Sequence, residues 1–136
     1  MPYENEELAY WMPDDELNAL SHSVIGAAIE AHRQLGPGFD EASYQAALEL
    51  EMHLRNISHQ REVWFDIVYK GSVVGRRRLD FLVGGRLVVE IKVVPITDLE
   101  KAQVLSYLKL SGHSLGLVIN FNTLMLKDGI RRVIRA

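Results

Sequence analysis

Two hydrophobic periods alternate along the chain, one helical and one extended. From Leu17 to Leu35 the residues Leu17, Leu20, Val24, Ala27, Ala28, Ala31 and Leu35 recur at helical spacing and predict a first helix. Asp14 or Asp15 caps its start, and Gly36-Pro37-Gly38 stops it, because Pro37 cannot continue a helix. A second helix is expected over Asp40–Arg55, with Asp40 as N-cap and Asn56 as the stop. Its stripe reads as Ala47, Leu50 and Leu54, widened by Tyr44 and Leu48. The pattern then turns β-like: Val63–Tyr69 is rich in branched and aromatic residues, Lys70-Gly71 marks a turn, and strands follow over Val73–Val83 and Leu87–Val94, before Pro95. Thr97 and Glu100 have capping-box spacing and open a third helix to about Leu110, ended by Gly112. Leu115–Asn120 is a short apolar strand of the kind buried on both faces. Leu124–Leu126 and Ile130–Ile134 flank Asp128-Gly129, which predicts a small C-terminal hairpin. The order is helix, helix, three strands, helix, strand: an α/β (α+β) domain with a mixed central sheet flanked by helices.

Three charges interrupt the apolar strands around Gly84-Gly85. Asp80 lies in one arm of the hairpin, Glu90 and Lys92 in the other. Glu90 and Lys92 are two apart and leave the same face of their strand. Loop length fixes where Asp80 goes. A two-residue loop pairs Val83 with Arg86 and puts Asp80 and Glu90 on opposite faces. A three-residue loop, Gly84-Gly85-Arg86, pairs Val83 with Leu87; Phe81 then faces Val89, Leu79 faces Ile91, and Asp80 faces Glu90. The second register matches apolar with apolar, so the three-residue loop is expected. It brings two carboxylates to about 5 Å between Cβ atoms, which is unfavourable without a cation between them. Two carboxylates beside a backbone carbonyl form a hard oxygen site suited to Mg²⁺ or Mn²⁺. A solvated strand face carrying ordinary surface charges explains the same spacing.

Composition narrows the choice. The chain has 136 residues, 48% of them hydrophobic, enough for one domain with a modest core. The expected division is a tail over 1–14, with Tyr10-Trp11-Met12 as an aromatic patch, and a domain over 15–136. Net charge is −3, so a nucleic-acid substrate must be met by a local patch or a metal. There is no cysteine, which excludes disulfides and thiol catalysis. No apolar run approaches the roughly 18 residues of a membrane helix, and the acidic start lacks the features of a signal peptide. A cytoplasmic location is expected.

With these residues in view, the pattern Asp80…Glu90-Ile91-Lys92 on a hairpin, followed by helix and strand, resembles the PD-(D/E)XK nuclease superfamily. Gly38-Phe-Asp-Glu41-Ala-Ser-Tyr44 is similar to the signature of its GxxExxY branch. Ile25–Gly38, Gln60, Tyr69-Lys-Gly71, Gln103-Val-Leu-Ser-Tyr107 and Gly116–Phe121 extend the likeness over about Leu17 to Arg132. The superfamily's namesake proline is replaced by Leu79. The resemblance implies a restriction-endonuclease-like αβββαβ core and a Mg²⁺- or Mn²⁺-dependent nuclease acting on nucleic acid, DNA in the first instance. It implies Asp80, Glu90, the Ile91 carbonyl and Glu41 as metal ligands, Lys92 as the catalytic lysine, and Gln103 in support.

Other residues carry two readings each. Glu41 suits a helix first turn as well as a metal. Tyr44 and Tyr107 fit substrate contact or core packing with a satisfied hydroxyl. Simple alternation sends Arg76 and Arg78 to the Asp80 face and Arg77 to the other, so Arg76 and Arg78 are the expected phosphate contacts; an edge strand guarded against aggregation explains them too. His32 and Gln60 are weaker candidates for the cleft. A homodimer, with the aromatic patch as a docking element, and an inactive nuclease-fold binding module are the remaining alternatives.

Overall fold

The computed structural model describes residues 14–135, so Tyr10-Trp11-Met12 lies outside the described residues. Helix α1 spans Asp15–Leu35 and starts on Asp14, whose side chain accepts from the Leu17 N–H at 2.8 Å. Helix α2 spans Glu41–Leu54 behind the N-cap Asp40, which accepts from the Ser43 N–H. Strands β1 (His59–Tyr69), β2 (Ser72–Val83) and β3 (Leu87–Lys92) follow, then helix α3 (Asp98–Ser111), strand β4 (Leu115–Asn120), a short 3₁₀ turn (Leu126–Gly129) and strand β5 (Ile130–Ile134). The Thr97–Glu100 capping box is formed in both directions, and Gly112 closes α3 in the left-handed region.

The five strands lie in the order β1-β2-β3-β4-β5. Among the described residues only the β3–β4 pair is parallel, as the α3 crossover requires. Helices α1 and α2 cover one face. Leu17, Val24, Ala27, Tyr44, Leu48 and Met52 pack there on Phe81, Val89, Ile91, Leu117 and Ile119. Helix α3 covers the other, with Val104, Tyr107 and Leu108 against Leu79, Val88, Val118 and Val133. This three-layer arrangement is a mixed α+β, restriction-endonuclease-like architecture. Among the described residues no helix is long and apolar enough to cross a membrane.

Three expectations change. The buried stripe of α2 is Tyr44, Leu48 and Met52, whereas Leu50 and Leu54 are 58% and 66% exposed. The i, i+4, i+8 set meets the sheet; Ala47 still packs at the edge of that core, but Leu50 and Leu54 turn away from it. No hairpin forms around Asp128-Gly129. Leu124 and Met125 are exposed, and β5 runs back along β4 instead. Gly129 sits where an added Cβ would lie 2.2 Å from the Asn120 carbonyl oxygen, so this glycine serves a close approach and not a hairpin turn. Finally, β3 ends at Lys92, two residues before the expected stop.

Candidate active site

The loop between β2 and β3 has three residues, and Val83 pairs with Leu87, Leu82 with Val88 and Phe81 with Val89. Gly84 and Gly85 both adopt positive φ (58° and 69°), which glycine allows without strain. This is the register that lets Asp80 and Glu90 share a site. It ends at Phe81–Val89. Continued, it would pair Leu79 with Ile91, but Leu79 packs under α3 and Ile91 under α1 and α2. The expected Leu79–Ile91 match is therefore absent, because β2 changes face at Asp80. Its neighbour in β1 shows why. The β1–β2 register pairs Arg61 with Phe81 and Val63 with Leu79 but leaves out Glu62 and Asp80, and Glu62 has a φ of 59°. A non-glycine residue there is uncommon and strained.

Two backbone N–H groups thereby lose ladder partners, and carboxylates take them. The Asp80 N–H donates to Glu90 Oε2 at 2.7 Å, and the Ile91 N–H donates to Asp80 Oδ2 at 2.7 Å. Both side chains are 8% exposed. Within a strand, the N–H and C=O of one residue point to the same neighbour. The Lys92 carbonyl accepts from the Phe121 N–H on the β4 side, so the Ile91 carbonyl turns to the opposite side, into the gap that holds the two carboxylates.

Burial pushes the Glu90 carboxyl up to about 7, and the neighbouring Asp80 charge adds to the shift. Burial likewise raises Asp80, against the pull of the Ile91 N–H and the positive Lys92 and Arg78. Neither carboxylate forms a salt bridge within 4 Å among the described residues. Two buried acids held together without a direct counter-ion are poised for a cation.

Lys92 ends β3 half-buried, and its charge favours ionisation of both acids. Tyr107 of α3 is buried edge-on to Phe65, with ring centroids 5.3 Å apart. Its hydroxyl accepts from Arg77, whose guanidinium also lies 5.1 Å from the ring centroid. Burial raises the Tyr107 phenol, and the Glu90 and Asp80 charges add to this. Gln103 stands half-buried one turn before Tyr107 on α3.

Simple alternation holds for Arg78 but not for Arg77. Because β2 changes face at Asp80, Arg77 reaches the α3 side, where its charge acts on Glu90. Arg78 still acts on Asp80 while lying 3.6 Å from Glu62. Arg76 lies over the Trp64 ring at 4.9 Å, and 3.8 Å from Asp66. The sequence signal for Arg77 was the arginine triplet itself; the face change that selects its middle member left no period-2 trace.

Tyr44 is corrected from substrate contact to packing. It is fully buried, stacks on Phe121 at 4.7 Å, donates to the Gly36 carbonyl at 2.5 Å and accepts from the Phe39 N–H at 3.3 Å. It thus ties down the loop that leads to Glu41. His32 is also buried, with Nε2 2.7 Å from the Thr123 carbonyl, and Gln60 is exposed. Glu41 begins α2 half-buried. No three His, Asp or Glu side chains among the described residues converge closely enough to hold a metal ion, so Glu41 does not close on Asp80 and Glu90 in this arrangement.

Asp80, Glu90 and the Ile91 carbonyl would offer an all-oxygen donor set of two carboxylates and one carbonyl. That fits Mg²⁺, which binds through one or two carboxylates while keeping waters and substrate oxygens. Comparison with curated proteins and with solved structures returned no match. A family model does match, over residues 18–133, which among the described residues includes every strand but the last residue of β5 and all three helices but the first turn of α1. With the crossed carboxylates, the lysine and the mixed sheet already in place, that match closes the question of kinship: the chain belongs to the PD-(D/E)XK nuclease superfamily.

Proposed function

We propose that this protein is a divalent-metal-dependent nuclease that hydrolyses phosphodiester bonds in DNA, and that it is a member of the GxxExxY branch. The observation that carries the reading is the crossed pair, in which Asp80 and Glu90 each accept a backbone N–H from the other's strand segment. Asp80, Glu90 and the Ile91 carbonyl would hold Mg²⁺ or Mn²⁺, with Glu41 adding an oxygen, directly or through water. Such an ion polarises a phosphoryl oxygen and lowers the pKa of bound water. Lys92 then faces the scissile phosphate, where its ammonium offsets developing negative charge and orients the attacking water. Gln103 and Tyr107 line the α3 side; Arg77, held by Tyr107, and Arg78 supply positive charge for the phosphate.

Purified protein incubated with plasmid and linear DNA is expected to cleave in Mg²⁺ or Mn²⁺ and to stop in EDTA. Asp80→Asn and Lys92→Ala are each expected to lower the rate by at least about 10²-fold, the scale for loss of one electrostatic stabiliser. Glu41→Gln should weaken activation by metal. Cleavage that persists in EDTA, or in both variants, would overturn the reading. The alternative, a nuclease-fold module that binds nucleic acid without cutting it, is favoured by one feature: among the described residues no third carboxylate closes on the pair. DNA binding without cleavage in either metal would select it.

A further inference from the structure

Strands β1 and β2 pair with each other from His59–Val83 out to Tyr69–Ser72, but β2 pairs with β3 only over Phe81–Val83. Residues 63–78 therefore form a two-stranded ribbon that leaves the sheet at the carboxylates. Its inner face is anchored: Val63 and Phe65 pack under α3 beside Tyr107. Its outer face carries Trp64, Asp66, Arg76 and Arg78, all exposed, with Arg76 stacked on Trp64. The tip is open, with Val68, Tyr69, Val73 and Val74 about half to two-thirds exposed and Lys70 over the Tyr69 ring. Ribbon charge is opposite to that of the chain as a whole. Residues 63–78 hold Lys70 and Arg76, Arg77 and Arg78 against the single acid Asp66, while the whole chain has a net charge of −3.

From this we infer that the β1–β2 ribbon is a grip for B-form duplex DNA, laid in the major groove beside the scissile bond. The inference rests on the nuclease reading and adds the substrate form. Three physical points carry it. The B-form major groove, about 12 Å wide, admits a two-stranded ribbon, whereas the deep, narrow major groove of A-form RNA does not. The basic side chains meet phosphates along the groove walls, and the apolar tip has thymine methyls to contact at the groove floor. Nine residues separate Asp80 from Gly71, a reach of about 30 Å at strand rise, close to one helical turn of duplex. The substrate must accordingly extend about one turn beyond the cut on the ribbon side.

The test measures binding by fluorescence anisotropy in EDTA, so that nothing is cleaved, with Trp64→Ala, Tyr69→Ala/Lys70→Ala and Arg76→Ala. Melting temperatures check that each variant folds; these side chains are exposed, so folding should survive. Probes are a DNA duplex of about three helical turns, a half-turn DNA duplex and an RNA duplex of the longer length. Wild type is expected to favour the long DNA duplex at least tenfold over the other two. Each ribbon variant should lose about tenfold on the long DNA and little on the short one. Arg76→Ala should lower the slope of log affinity against log salt by about 0.9. Variants that bind the long duplex like wild type, or equal wild-type affinity for RNA and DNA duplexes, overturn the inference. So does a concentration-dependent dimer abolished by Tyr69→Ala/Lys70→Ala with DNA affinity intact, because the ribbon then pairs with a second copy. If wild type binds as expected but cuts nothing in Mg²⁺ or Mn²⁺, the nuclease reading fails while the grip stands.

Discussion

Glu90→Gln separates the electrostatic strain of the site from its chemistry. In the folded protein burial and the Asp80 charge push Glu90 from 4.5 to about 7. The folded state therefore holds this proton more tightly than the unfolded chain does. Its contribution to stability is fully present below about 4.5, declines as pH rises through 7, and is gone above that. A difference of about 2.5 units at 1.36 kcal/mol each makes the loss roughly 3 kcal/mol. The Asp80 carboxyl is raised too and acts in the same direction. Asp14, Asp40, Glu49 and Glu100 are lowered, so their losses fall at lower pH and do not overlap this window. Glutamine keeps an oxygen to accept from the Asp80 N–H and removes the charge.

The assay is thermal unfolding of wild type and Glu90→Gln from pH 4.5 to 8.5, in EDTA and again with Mn²⁺ or Mg²⁺. In EDTA the two curves should meet near pH 4.5 and separate with rising pH, until the variant melts roughly 10 °C above wild type at pH 8. Metal should raise wild type at pH 8, by about 2.7 kcal/mol at a hundredfold excess over Kd, and leave the variant nearly unmoved. The stabilised variant should be inactive. Parallel curves in EDTA, or a variant less stable than wild type at pH 8, would refute the reasoning, because the carboxylates would then be neither crowded nor short of a cation.

Further expectations follow from the packing. Tyr44→Phe removes one donor and one acceptor at the Gly36–Phe39 loop and should cost about 1 kcal/mol by denaturant unfolding, with cleavage expected to be retained because the ring is fully buried. Gly116→Ala places a Cβ 2.7 Å from Val104 Cγ1 under α3; about 1–3 kcal/mol of destabilisation is expected in the same assay. A double-mutant cycle of Arg77→Ala and Tyr107→Phe should give a coupling of about 1 kcal/mol or more in stability, and additive effects would deny the contact.

Helix ends were legible because capping is local chemistry. Asp40, Thr97 and Gly112 act within four residues, each where the sequence places it, and Asp14 is one of the two caps it offers for α1. The three-residue loop is legible because only one parity matches apolar with apolar across the hairpin, as Phe81–Val89 and Val83–Leu87 do. Which stripe of α2 faces inward was not. Leu50 and Leu54 are as apolar as Leu48 and Met52, and only the placement of α1 and the sheet decides between them. Arg77 escapes for a different reason: period-2 reasoning assumes unbroken alternation, and β2 breaks it at Asp80, opposite a Glu62 whose positive φ nothing in its residue type announces. Glu41 matched a signature on a helix start, but a spacing cannot say whether that start closes on two strands.

The break in alternation also accounts for the site's chemistry. Had β2 run on regularly, Asp80 would face Glu62 across β1 and Leu79 would face Ile91 across β3, with ladder carbonyls taking the N–H groups of Asp80 and Ile91. The carboxylates would then have no fixed partners and every reason to turn to water. Once the ladder opens, those two N–H groups are buried and need acceptors, because an orphaned buried donor costs about 1–3 kcal/mol. Asp80 and Glu90 satisfy them, and in doing so are held side by side out of solvent. The hydrogen bonds that relieve the backbone thus create the crowded pair of charges on which the proposed metal site rests. Restoring the ladder would therefore be expected to remove the proposed metal site even with both carboxylates still present in the sequence.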